Sequence, residues 1–88
     1  MNEFDIAREF CQYINWWMSA KDLAEAVKRN KEDPNPSACH THDFIDANEA
    51  MIAAFQSYDL DPLDNIDLCN KAWDLAKAAE FDPDKVGK

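Results

Sequence analysis

Eighty-eight residues carry 18 Asp+Glu against 9 Lys+Arg, a formal net charge of −9 that repels nucleic acid and anionic membrane surfaces and argues against direct phosphate binding. With 47% hydrophobic and 11% aromatic residues the chain can fill one core, which excludes disorder as a description of the whole. The length leaves no room for a second core or for a cofactor-binding enzyme of the usual two-layer kind, and one Gly argues against β-rich folds.

Three Asp-Pro pairs, Asp33-Pro34, Asp61-Pro62 and Asp82-Pro83, punctuate the chain, and proline cannot continue a helix. The segments between them have helical spacing. The first carries Phe4, Ala7, Phe10, Cys11, Ile14, Trp17 and Met18 at i, i+3, i+4 and i+7 steps. The second carries Phe44, Ala47, Met51, Ile52 and Phe55, and the third Ile66, Cys69, Ala72, Trp73, Ala76 and Ala79. The expected fold is all-α, a small three-helix bundle with helices over about residues 3–31, 41–58 and 65–81. Residues 1–81 read as a single helical domain, and 82–88 as a flexible C-terminal tail.

The first of these helices contains a change of phase. At about 100° per residue, Phe10, Cys11, Ile14, Trp17 and Met18 share one arc, whereas Ala20, Leu23, Ala24 and Val27 lie well round from it and join Trp16. One account is a kink or restart at Ser19, whose hydroxyl caps a new helix with Asp22 three residues on. The other, favoured by the strong helix formers from Ala20 to Ala26, is a continuous helix with two apolar faces. That second face, Trp16, Ala20, Leu23 and Val27, reads as a partner-binding stripe and as the seam of a homodimer. Trp16 and Trp17 are expected to face different neighbours.

Acidity is concentrated in the second part of the chain. Residues 1–31 hold five bases and five acids, whereas residues 32–88 hold four bases and thirteen acids. The densest stretch is Asp59, Asp61, Asp64 and Asp67, with no base among them. Such Asp residues suit a solvated connection and a helix start. They also form a phosphate-like row to offer a basic protein surface, and this makes them the candidate partner-binding residues. Asp59-x-Asp61 opens like a calcium loop, but the loop Gly and terminal Glu are missing.

Both histidines fall in the run Cys39-His40-Thr41-His42-Asp43-Phe44-Ile45-Asp46-Ala47-Asn48-Glu49. On a helix Cys39, His42, Asp46 and Glu49 share one side, and such a set offers zinc-binding or redox-sensing chemistry. The simpler account is a helix start capped by Thr41, and no second Cys/His pair exists to complete a structural zinc site. Hence no cofactor, no metal and no catalysis are expected. Three cysteines, Cys11, Cys39 and Cys69, without paired spacing suit a reducing cytoplasm, and Cys11 and Cys69 read as buried apolar residues. No apolar run and no leader-like opening suggests a membrane or export, so a soluble, unprocessed protein is expected.

The Cys39–Asn48 run, Met51 and Phe55, the Asn70-Lys71-Ala72-Trp73-Asp74-Leu75-Ala76-Lys77 segment and Tyr13-Ile14-Asn15-Trp16-Trp17 together resemble a group of small acidic proteins encoded by tailed bacteriophages and prophages. The resemblance covers most of residues 10–79 and carries over no catalytic residues. It implies a non-enzymatic phage accessory protein in the bacterial host cytoplasm. Proteins of that kind often neutralise host factors, anti-CRISPR proteins among them. The expectation is therefore a nucleic-acid mimic that blocks a basic, nucleic-acid-handling defence factor. The alternatives are the Cys39/His42/Asp46/Glu49 module and a structural adaptor.

Overall fold

Asn2 decides where the first helix begins. Its side-chain oxygen accepts the N–H groups of Phe4 and Asp5 at 3.0 and 3.1 Å, while the Asp5 carboxylate accepts the Asn2 N–H at 3.1 Å. This reciprocal cap opens α1 (Glu3–Trp17). The computed structural model describes residues 2–32 and 42–87, with side chains at 2–28 and 47–87. After α1 come α2 (Ala20–Glu32), α3 (His42–Gln56) and α4 (Ile66–Ala78), with 3-10 turns at Pro62–Asp64 and Pro83–Lys85. No strand occurs among the described residues. The radius of gyration, 12.3 Å, matches the roughly 12 Å of a folded chain this long.

The continuous first helix is corrected: the chain restarts at Ser19, so among the described residues four helices stand where three were expected. Met18 is extended, at φ −158° and ψ 177°, and the Ser19 hydroxyl accepts the Asp22 N–H at 3.3 Å. The physical reason lies in Leu23. A straight helix would hold it away from the core, whereas the break buries Leu23 completely and Ala26 nearly so. Burying one Leu is worth about 2 kcal/mol, enough to offset a few interrupted helical hydrogen bonds that the Ser19 cap partly replaces. The stripe Trp16, Ala20, Leu23 and Val27 is therefore no exposed face. Leu23 is in the core, Ala20 and Val27 pack against it, and only Trp16 faces solvent.

α3 and α4 both pack on α1 and barely touch one another. The shared core is Ile6, Ala7, Phe10, Cys11 and Ile14 of α1 against Ala47, Ala50, Met51, Ala54 and Phe55 of α3 and Ala72 and Ala76 of α4. The alanines let the helix backbones approach closely, and the space left is filled by an aromatic triad. Phe10 lies 5.7 Å from Trp73 and 6.1 Å from Phe81, and those two rings are 5.6 Å apart, in tilted and edge-on arrangements.

α3 and α4 end alike. The Leu60 N–H returns to the Phe55 carbonyl at 3.0 Å, and the Phe81 N–H to the Ala76 carbonyl at 2.8 Å, as in a Schellman cap. The left-handed positions that glycine usually takes belong to Asp59 (φ 58°) and to Glu80 and Phe81 (φ 53° and 60°). A left-handed Phe is costly and is held by its surroundings. Its ring is fully buried, and its carbonyl accepts the Asn15 side-chain amide at 2.9 Å. Each cap then runs into an Asp-Pro pair. Asp61 accepts the Leu63 N–H and Asp82 the Asp84 N–H, both at 2.9 Å, with proline at the start of a single 3-10 turn. The Asp-Pro pairs at 61 and 82 thus keep a helix from resuming and set the 3-10 turn beyond it. Asp33-Pro34 lies outside the described residues.

Residues 82–87, read from the sequence as a tail, lie against the helices. The Pro83–Lys85 turn packs on α1, and Val86 is 4% exposed. Gly87 (φ 82°) comes so close to Phe4 that an added Cβ would lie 3.1 Å from its ring. Deleting residues 83–88 is expected to lower stability by about 2 kcal/mol, read as a lower urea midpoint. A flexible tail would leave that midpoint unchanged.

Candidate functional site

The four candidate carboxylates are built onto the connection between α3 and α4. Asp59 takes the left-handed turn after α3, Asp61 caps the 3-10 turn, Asp64 ends it, and Asp67 lies in the first turn of α4. All four are exposed. The connection is held by its own hydrogen bonds: the Asn65 amide donates to the Asp61 carbonyl at 2.9 Å, and the Asn65 N–H to the Pro62 carbonyl at 3.2 Å. The row is therefore a stiff display of negative charge. Its carboxylates do not converge on one point, since no group of three His, Cys, Asp or Glu able to hold a metal occurs among the described residues. Lys71 is the base at its far edge, sharing with Glu3, Asp64 and Asp67 a shallow depression of about 540 Å³.

Beside the row, a groove of about 830 Å³ opens between α3 and α4, with no α1 residue in its lining among the described residues. Its walls include Met51 and Ile52 of α3, Leu60 and Leu63 of the connection, and Ile66 and Cys69 of α4. Asp59 and Asp61 are among the residues that line it, and no basic residue does so among the described residues. Leu63 is 79% exposed, Ile66 59% and Ile52 41%. Ile52 and Ile66 keep the helical spacing of their segments, but no element of the chain covers them among the described residues. Leu63 belongs to no helical period. The signal for it was the alternation Asp59-Leu60-Asp61-Pro62-Leu63-Asp64-Asn65-Ile66-Asp67, in which apolar side chains interleave with the acids. A wider cleft of about 940 Å³ involving α2 and α4 mixes Lys21, Lys77 and Lys85 with Glu25, Asp74 and Asp82, and so favours neither sign of partner.

Trp16 and Trp17 line neither the groove nor the depression beside Lys71. Trp16, 68% exposed, and Trp17, 48% exposed, close α1, and both contact Tyr13 at ring distances of 5.2 and 5.3 Å. The two tryptophans thus share a neighbour, contrary to expectation, because Tyr13 lies three and four residues before them on the same helix. Cys39 and Thr41 lie outside the described residues, as do the side chains of His42 and Asp46 along α3; Glu49 is exposed. Cys11 is buried as expected, and burial, with Asp82 nearby, pushes its thiol up to about 12. Such a thiol is inert. Cys69 is half-buried, and partial burial raises its pKa as well. No helix among the described residues is long and apolar enough to cross a membrane. Comparison with known proteins finds no matching family model, no matching curated protein and no matching solved structure.

Proposed function

We propose that this protein acts by binding: it engages a basic protein surface through Asp59, Asp61, Asp64 and Asp67 and blocks what that surface does. The observation that carries the reading is the exposure of all four carboxylates on one hydrogen-bonded connection, with no base among them. Carboxylates presented at successive turns compete with phosphates for Lys and Arg grooves, and their fixed geometry lowers the ordering cost of the encounter. The net charge of −9 speeds that encounter and disfavours nucleic acid itself as the partner. Together with the resemblance to phage-encoded proteins, this supports an anti-CRISPR-like, nucleic-acid-mimicking inhibitor of a defence factor in the bacterial cytoplasm.

The test replaces the four residues with Asn, which removes charge and keeps the fold. Asn tolerates the left-handed backbone of residue 59 and caps the turn at 61 as well as Asp does. In hosts carrying CRISPR or restriction systems, the wild-type protein is expected to restore plaquing by a sensitive phage. The quadruple variant should lose at least about tenfold of that restoration, and the purified pair should lose its salt dependence. Full restoration by a folded quadruple variant would remove the mimic.

A further inference from the structure

The groove between α3 and α4 has the character of a core that lacks its last helix. α1 holds the two helices apart, the connection bridges them at one end, and Ile52, Leu63 and Ile66 are left open to solvent along the gap. Ile52 and Ile66 stand on the apolar arcs of their helices, so their sequence pattern is that of side chains with a packing partner. No described element of this chain supplies one.

We propose that this groove seats an amphipathic helix of the partner protein, with apolar side chains directed onto Ile52, Leu63 and Ile66 and Lys or Arg side chains flanking them towards the acid row. This deepens the reading above and rests on it, since it names the part of the basic partner that is recognised. Charge chooses the occupant. Asp59 and Asp61 stand at the groove, Asp64 and Asp67 continue the row beyond it, and no base lines the groove among the described residues. A second copy of this acidic chain docked on that face would bring like charges together, whereas a basic helix neutralises them. The chemistry divides the labour. Buried apolar anchors set the lifetime of a complex, and exposed rim charges set its rate of formation and its salt dependence.

The experiment uses the full chain and a fluorescein-labelled Leu/Lys peptide of about 15 residues, roughly four helical turns, with Leu at i, i+3, i+4 and i+7. A scrambled peptide of the same composition has equal charge and no apolar face. Anisotropy titrations are expected to show the ordered peptide binding about tenfold tighter than the scrambled one. Leu63→Ser/Ile66→Ser should abolish that difference, and since both residues are exposed, the variant should keep the wild-type melting temperature. Cys69 lines the groove, so in a Cys39→Ser background the ordered peptide should slow its alkylation and the scrambled peptide should not.

Equal binding of both peptides, unaffected by Leu63→Ser/Ile66→Ser and without protection of Cys69, overturns the groove and leaves the acid row standing. Failure of both peptides to bind at low salt overturns both readings. A dimer of the unliganded protein that Leu63→Ser/Ile66→Ser returns to a single chain gives the groove to a second copy and overturns the proposal.

Discussion

Phe10→Ala is expected to lower stability by about 3–5 kcal/mol, the largest single effect in the molecule. A chain of this length has roughly 4–13 kcal/mol in total, so the variant sits near the edge of folding at 37 °C. Two features place Phe10 at the upper end of the range. It is fully buried between Trp73 and Phe81, so both ring contacts are lost together with the transfer free energy of the side chain. The helix faces around it are also rich in alanine, at Ala7, Ala50, Ala54, Ala72 and Ala76, and alanines have no side chain to move into a cavity. Phe10→Leu keeps much of the volume and should cost about 1–2 kcal/mol. Urea unfolding followed by circular dichroism measures both. A loss below about 1 kcal/mol for Phe10→Ala would mean that the triad is not the centre of the core.

That centre was legible in the sequence because its helical period is unbroken. Ala7, Phe10, Cys11 and Ile14 repeat on one arc, and so do Ala72 and Ala76. Periodicity identifies residues on a common arc but not whether anything covers them, and so Ile52 and Ile66 keep the helical spacing and are exposed. At Ser19 two local signals conflicted. Helix propensity through Ala20, Leu23 and Ala24 argued for continuity, while the change of phase argued for a break; burial of Leu23 gave the decision to the phase. Two turns were hidden for a different reason. The left-handed caps carry Asp59, Glu80 and Phe81 where glycine would have announced them, and only packing and the Asn15 hydrogen bond hold Phe81 there. The docked C-terminal segment rests on Val86, an apolar residue too isolated to generate a pattern. Among the candidate site residues the four Asp were readable as exposed, because carboxylates stay in water. The groove beside them was not, since Leu60, Leu63 and Ile66, though spaced by three, come from a turn, a 3-10 turn and a helix start rather than from one helix.

Leu23→Ala and Trp16→Ala are expected to part company, although the two residues lie on one stripe of a straight helix. Leu23 is fully buried and joins α2 to the core, so its truncation should cost about 2–3 kcal/mol. Trp16 is 68% exposed and makes an edge-on contact with Tyr13, so its truncation should cost about 1 kcal/mol or less. Ser19→Ala, which removes the hydroxyl that accepts the Asp22 N–H, falls between them at about 1 kcal/mol. The mass should not respond to any of the three, because a stripe whose central Leu is consumed by the chain's own core has no anchor left to offer a second copy. Light scattering of the wild type is expected to give the 10.1 kDa of one chain. A doubled mass that Leu23→Ala halves without lowering the melting temperature would restore the stripe as an interface and would require the first helix to run straight through Ser19.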